Sequence, residues 1–169
     1  YWPITSHSAG TAGSGSVNLA NGNLVFAIPT LTATDSIFSF TPTLVYDASM
    51  SGKAYYDKSS CIGVTNSFLG YGFKLNMNET IRSLYEGGAM PYYLYSDADG
   101  TEHRFLEDGS TNTHKNEDGL GLTLTTDSSG NIIIESESGG IRFFEKVSNL
   151  SFGNRWRLSY CEDIYGNRL

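Results

Sequence analysis

No stretch of this 169-residue chain longer than ~12 residues carries the 3.6-residue apolar period of an amphipathic helix. Apolar and polar residues alternate instead in short runs, as in LGLTLTT, where Leu120, Leu122 and Leu124 alternate with glycine and threonine. A period of two places every second side chain on one face of a strand. Glycine, asparagine and aspartate separate the runs and favour turns. The sequence therefore predicts an all-β fold of antiparallel hairpins, with about ten or eleven short strands forming a meander, an open sheet or a sandwich.

Composition agrees with this fold class and excludes several kinds of partner. Only 17% of the residues are charged, and there are 19 glycines, 11 tyrosines and 9 phenylalanines, as is typical of β-rich proteins. The net charge of −7 argues against binding nucleic acid or an anionic membrane, since both require a basic surface. No apolar run approaches the ~20 residues of a membrane-spanning helix, so no membrane insertion is expected.

The domain organisation is predicted from local composition. Residues 1–15 are rich in glycine, serine, alanine and threonine and are expected to form a flexible N-terminal segment. Residues 16–169 are expected to form a single all-β domain. The opening YWPITSHSAG has no initiator methionine, basic region or apolar stretch. We therefore expect a fragment of a longer chain, whose targeting signal would lie upstream.

Turn signals predict the first hairpins. Asn21-Gly22 lies between two short apolar runs and predicts a hairpin of strands near 16–20 and 23–28. Pro29 should end the second strand or mark a sheet edge, because proline cannot donate a backbone hydrogen bond to a neighbouring strand. A further strand is expected over 36–47.

Further along, Pro42 should demote or bend the middle of the strand expected over 36–47. Residues 48–70 show no clear period and are expected to form a long irregular connection. The segment TIRSLY is interpreted as a strand in preference to one helical turn. Six apolar residues are expected in the core: Phe73, Leu75, Phe105, Leu122, Leu124 and Trp156.

One acidic stretch, YLYSDADGTEHRF (93–105), raises the question of a metal or acid–base site. We expect Asp99-Gly100 to form a two-residue type I′ turn, which pairs Asp97 with Glu102 and Ser96 with His103. Asp97 and Glu102 would then share one face, with Arg104 beside them, and His103 would lie on the other. A calcium loop needs more oxygen ligands than this stretch supplies. The stretch is therefore predicted to be a hairpin, without a metal or catalytic site.

The remaining candidates for chemistry are few. His7, His103 and His114 have no cysteine or carboxylate at ligand spacing, and no GxSxG, HExxH or CxxC motif occurs. Cys61 and Cys161 match no zinc or redox spacing, and two isolated buried thiols are favoured over a disulfide between them. The sequence thus predicts no catalytic residue, no cofactor and no enzyme activity.

Aromatic residues suggest an alternative function. A carbohydrate-binding module on the cell envelope would need an exposed stacking platform. Tyr92 and Tyr93 must face opposite sides of a strand, and cross-strand aromatic pairs are ordinary in sheets. The residues available for such a platform are Tyr55, Tyr56, Tyr92, Tyr93, Tyr95 and Trp156.

Four phrases, in order, resemble one protein family. GSGSVNLANGNLVFAIPTL resembles the entry segment of Rhs/YD-repeat proteins, which is close to V-N-x-A/P-T-G-N-L. GYGFKLN resembles the family's G-x-G-W-x-L-N, with Phe73 in place of the usual tryptophan. YSDADGTEHRF resembles Y-x-D-x-D-G-T-x-x-x-F, and DIYGNRL is similar to the D-x-x-G-N-x-L/I that opens the repeat array. The resemblance extends over about residues 14–169.

This resemblance implies a position and a role. The chain would lie just upstream of a YD-repeat array in a large bacterial protein that is secreted or associated with the cell wall. It would start or cap a β shell that the downstream array of the same chain completes. The family's catalytic motifs do not occur here, so the resemblance implies no catalytic residue. A cell-envelope glycan remains the alternative partner.

Overall fold

The computed structural model describes residues 4–8, 13–19, 22–34, 39–48, 69, 72–84, 92–110, 112–150 and 153–169. Every element whose bounds it describes is a β-strand, and all strand pairs within these residues are antiparallel. The all-β prediction is therefore confirmed. In the same part of the chain, no helix is long and apolar enough to cross a membrane.

The chain divides into two compact units, where the sequence predicts one domain over 16–169. The first unit comprises residues 1–78 and 98–100, and the second comprises 79–97 and 101–169. Strands that follow one another at this boundary hydrogen bond into different sheets, so the backbone pairing itself separates the units. Sequence periodicity does not reveal this, because both units have the same period of two.

The first unit contains a five-stranded sheet and a small two-stranded one. The five-stranded sheet has the order β1-β2-β3-β6-β7, and β4 pairs with β5. Its strands are β1 (Ile4–Ser8), β2 (Ser14–Asn18), β3 (Leu24–Pro29), β4 (Ala33–Thr34), β5 (Ser39–Phe40), β6 (Thr43–Asp47) and β7 (Phe73–Leu75). The segment 1–15, for which composition favours flexible chain, thus contributes β1 and the start of β2.

Several local predictions fall in this unit. β2 and β3 form the predicted hairpin, and Gly22 lies in their connection with a φ of 71°, while Asn21 lies outside the described residues. β3 ends at Pro29, as expected. Pro42 lies between β5 and β6 and divides the strand predicted over 36–47. Of the connection predicted over 48–70, all but Ala48 and Leu69 lie outside the described residues.

The second unit is a closed antiparallel barrel, which the sequence does not predict. Its described strands follow the order β10-β11-β12-β13-β14-β15-β8-β9, and β9 pairs with β10 to close the ring. They are β8 (Thr80–Leu84), β9 (Tyr92–Ser96), β10 (Glu102–Ser110), β11 (Thr113–Asn116), β12 (Leu122–Thr126), β13 (Ile132–Ser136), β14 (Ile141–Leu150) and β15 (Gly153–Glu162). Residues 80–84 of TIRSLY form β8, as preferred, and Tyr85 lies outside the described residues.

The barrel interior is the principal core. Phe105, Leu124 and Trp156 are buried in it as predicted, and Leu122 packs against it half-buried. The Trp156 indole donates a hydrogen bond to the carbonyl of Gly130 at 2.7 Å, which satisfies its one polar atom. The other members are Ile81, Tyr95, Ile132, Ile134 and Phe144.

The core prediction is wrong for β7. Lys74 is buried at 3% exposure, whereas Phe73 and Leu75 on the opposite face are only half-buried, and Met77 is exposed. The alternation was predicted correctly, but alternation defines two faces without saying which one the fold covers.

One five-residue turn recurs four times among the described residues, at Asp97–Thr101, Asp127–Asn131, Ser136–Gly140 and Asp163–Asn167. In each, the first backbone N–H donates to the fifth carbonyl at 2.9–3.1 Å. The first side chain accepts a hydrogen bond from the fifth N–H at 2.8–3.1 Å. The fourth residue is a glycine with φ between 79° and 93°, a left-handed conformation that other residues rarely adopt. These are three-residue loops with glycine in the left-handed position.

Candidate functional site: a buried histidine–carboxylate cluster in the barrel

The hairpin over 93–105 has a different register from the predicted one. His103 pairs with Tyr95, and Glu102 pairs with Ser96, one residue away from the predicted pairing. The connection contains three residues rather than two, because the Asp97 carboxylate accepts a hydrogen bond from the Thr101 N–H at 3.0 Å. The aspartate is thereby drawn into the turn.

The altered register corrects the predicted faces. The Asp97 carboxylate reaches His103 and not Glu102: its Oδ2 lies 3.0 Å from Nε2 of the histidine. Glu102 and His103 do lie on opposite faces, as predicted. Glu102 accepts a hydrogen bond from Arg82 at 2.9 Å on the outside of the barrel, and His103 is buried inside. Asp99 is exposed in the turn.

A second carboxylate binds the other nitrogen of His103. Asp118, in the loop between β11 and β12, pairs with Nδ1 of the histidine. Asn116 orients this loop, because its amide donates to Asp118 and its carbonyl oxygen accepts from the Leu122 N–H at 2.9 Å. The imidazole is therefore held between two carboxylates from two different connections.

These carboxylates set the charge of His103. Burial by itself lowers the pKa of His103, but the hydrogen bonds and negative charges of Asp97 and Asp118 outweigh this effect and raise it to about 9. The imidazole is therefore protonated at neutral pH. A general base must be neutral and must have a free nitrogen to accept a proton. His103 is charged, and both of its nitrogens bind carboxylates. Together with Asp97 and Asp118 it therefore forms a buried ion cluster.

A second polar group lies next to this cluster. The Tyr95 ring is adjacent to the His103 ring, with centroids 5.6 Å apart, and its hydroxyl donates to Glu79. Burial and the nearby Glu79 charge raise the pKa of Tyr95 above its ordinary range, so the phenol remains neutral. Nε of Arg142 lies 3.3 Å from the buried Glu79 carboxylate. Burial raises the pKa of the Cys161 thiol on the strand facing Arg142, which makes the thiol a poor nucleophile.

The other histidines and the cysteines are described only in part. His7 lies in β1 opposite Gly15. His114 is buried elsewhere in the barrel, with its ring edge-on to Tyr93. Cys161 is a free thiol, and Cys61 lies outside the described residues. Within the described ranges, no group of three or more histidine, cysteine or acidic residues is arranged to hold a metal ion.

Of the aromatic residues considered for a glycan platform, the four that the structure describes do not form one exposed face. Tyr93, Tyr95 and Trp156 pack in or against the barrel core, and Tyr93 lies 5.5 Å from Trp156. Tyr92 faces the other side, as strand alternation requires, beneath the Arg104 guanidinium at 4.2 Å. Tyr55 and Tyr56 lie outside the described residues.

Sequence reasoning missed the partners of the cluster. Barrel closure brings these partners to the hairpin, and local periodicity does not encode barrel closure. The partners are Asp118, Glu79 and Arg142, and they meet Asp97, His103 and Tyr95. The turn itself contained a usable signal. Asp97 lies three residues before Gly100 and four before Thr101, and an aspartate at this spacing predicts a side-chain cap and a three-residue loop. That pattern gives the observed register.

No protein-family model matches the chain, and no curated protein is significantly similar to it.

Proposed function

We propose that this chain is a non-catalytic structural β module of a secreted or cell-wall-associated protein similar to the Rhs/YD-repeat proteins. In this proposal it initiates or caps a β shell, and its partner is the repeat array that follows it in the same chain. No cofactor takes part.

The observation that carries the proposal is a repeated hairpin unit. The turns Asp127–Asn131 and Asp163–Asn167 have the same D-x-x-G-N sequence and the same backbone bonds. Each also has a bond from the asparagine amide to the aspartate carboxylate, at 3.1 Å and 2.8 Å. The second turn belongs to DIYGNRL, the phrase that resembles the opening of the repeat array. The same turn therefore occurs inside the barrel and in the phrase that resembles the array, which supports construction by repetition of one hairpin.

The end of β15 supports a capping role. The ring closes where β8 pairs with β15 over Arg155–Arg157, and the last residues of β15 extend past this pairing. Beyond the barrel, Leu169 exchanges two backbone hydrogen bonds with Cys161, at 3.0 Å and 2.9 Å, and Arg168 bridges to Glu162. The chain after the second D-x-x-G-N turn therefore returns antiparallel along β15. This arrangement is suited to continuing the sheet.

The cluster chemistry supports a non-catalytic role. His103 is charged and has both nitrogens in hydrogen bonds to carboxylates, and Tyr95 is neutral and donates to Glu79. Such a network fixes the ends of several strands relative to one another. The buried aromatic residues give less support to a glycan platform.

Limited proteolysis tests the proposal. The segment that follows Leu169 in the full protein is produced in two forms, one alone and one joined to this chain. We expect protease resistance of the segment only in the joined protein, with partial loss in Asp163→Ala and none in the surface control Asp108→Asn. Equal resistance of the segment alone would contradict the proposal. Tight binding of the chain to a polysaccharide array, with no effect on the segment, would favour the carbohydrate-binding alternative.

A further inference from the structure

A second buried histidine lies in the barrel in an environment opposite to that of His103. His114 of β11 is only 4% exposed and faces the interior. Its ring meets Tyr93 edge-on with centroids 4.8 Å apart. Nδ1 is buried without a hydrogen-bond partner among the described residues. A buried polar atom with no partner is costly, and a buried charge at the same position costs more.

The groups around His114 would stabilise a positive charge on its ring only weakly. Glu107 of β10 is its cross-strand partner and the acidic group that faces it, and Tyr93 of β9 presents its ring. From β12 the opposite residue is the apolar Leu124. On the outside of the hairpin, Lys115 is bound to Asp108 at 2.7 Å. Burial lowers the pKa of His114, and the Glu107 charge only partly offsets this effect.

The strand pair that holds His114 also contains a weak point. The β10–β11 register shifts between Glu107 and Ser110, directly after the pair formed by Glu107 and His114. An irregularity of this kind leaves a backbone group without its ladder partner and bends the strand. Local opening is favoured where few ladder bonds must break. β11 is short and also pairs with β12 at Thr113, His114 and Lys115, so exposing His114 requires only these few further pairs to break.

We propose that His114 is an acid-sensitive switch of the β10–β11 hairpin, which opens to place the imidazole in water when the ring takes up a proton. His103 does not respond in the same range, because its two carboxylates keep it charged from acid to neutral pH. The contacts of His103 with Asp97 and Asp118 therefore persist while the hairpin opens around Glu107.

The direction of the pH effect follows from proton linkage. The closed form binds the proton less well than an exposed histidine with a pKa near 6.5 does. Below pH ~6.5 the open form therefore takes up more protons than the closed form. The opening equilibrium rises by up to about tenfold for each pH unit until the pKa of the closed form is reached. Above pH ~6.5 the hairpin remains closed.

Amide hydrogen exchange measured by mass spectrometry at pH 7.5 and pH 5.0, corrected for intrinsic exchange rates, tests the switch. We expect faster exchange at pH 5.0 in peptides covering 105–116, and little change in peptides from β13 and β14. His114→Phe should abolish the acid response, and the control His103→Gln should retain it. An unchanged acid response in His114→Phe, or none in the wild type, would overturn the proposal.

A titration of the wild-type protein by NMR gives an independent test that does not depend on folding of the variant. The His114 ring should titrate below pH 6.5 and the His103 ring near pH 9. A His114 pKa at or above 6.5 would overturn the proposal.

Discussion

Nε2 of His103 lies 3.0 Å from Oδ2 of Asp97 inside the barrel. If the turn were one residue shorter, the strand pairing would place these two side chains on opposite faces. The three-residue loop that joins β9 to β10 creates this contact. The loop exists because the other oxygen of Asp97 accepts a hydrogen bond from the Thr101 N–H. A single carboxylate thus sets the register of a hairpin and binds the histidine that the register turns inward.

Stability should decline at alkaline pH because of His103. The pKa of this histidine rises from 6.5 to about 9 on folding, so its stabilising contribution is complete below pH 6.5 and is lost as pH rises through about 9. Asp118 is 42% exposed, and solvent screening reduces the effect to about 1–3 kcal/mol. Urea unfolding at pH 6.0, 7.5 and 9.5 measures it. His103→Gln should remove the alkaline slope, and a slope that persists in this variant would contradict the assignment.

Breaking the pair of Glu79 and Arg142 should be costly because Glu79 is buried. Glu79→Gln removes a charge that is 6% exposed and leaves Arg142, which is 38% exposed, without its carboxylate, and this is expected to cost about 1–3 kcal/mol. The pair of Glu162 and Arg168 is more exposed, at 21% and 60%, and serves as the control; Glu162→Gln should cost less than about 1 kcal/mol. Chemical denaturation at pH 7 compares the two. Equal losses would show that the Glu79 pair is not buried in solution.

Truncation of the barrel core should destabilise the protein in proportion to burial. Phe144 is fully buried, and Phe144→Ala is expected to cost about 3–5 kcal/mol through lost contacts and a cavity. Leu106 is 37% exposed, and Leu106→Ala should cost about 1 kcal/mol or less. Thermal melts followed by near-ultraviolet circular dichroism measure both. A small loss for Phe144→Ala would indicate that the interior is loosely packed.

The repeated turn should depend on the backbone conformation of its glycine. Gly130 has a φ of 79°, and the nearest atom to an added Cβ is 3.9 Å away, so Gly130→Ala meets conformational strain without a clash and should cost about 1–2 kcal/mol. Gly140 has no positive φ and is the matched control. Gly140→Ala should cost little in the same unfolding assay. A neutral Gly130→Ala would mean that the turn adopts another conformation in solution.

The sequence by itself determined the local structure of this protein. The alternation of Leu122 and Leu124 predicted a strand, Pro29 and Pro42 set strand ends, and aspartate and glycine marked the turns. These features depend on residues close together in the chain, where φ, ψ preferences and a period of two are decisive. The same information predicted correctly that Phe105, Leu124 and Trp156 are buried.

Only the tertiary structure decided which strands close into a barrel and which side chains meet inside it. Lys74 is buried and Phe73 is not, because the fold chooses the covered face after alternation has defined two. Asp118 reaches His103 from fifteen residues away, through pairings of β10, β11 and β12 that no local pattern encodes. The charge of His103 and the neutrality of His114 follow from these long-range contacts, since burial and neighbouring charges set a pKa.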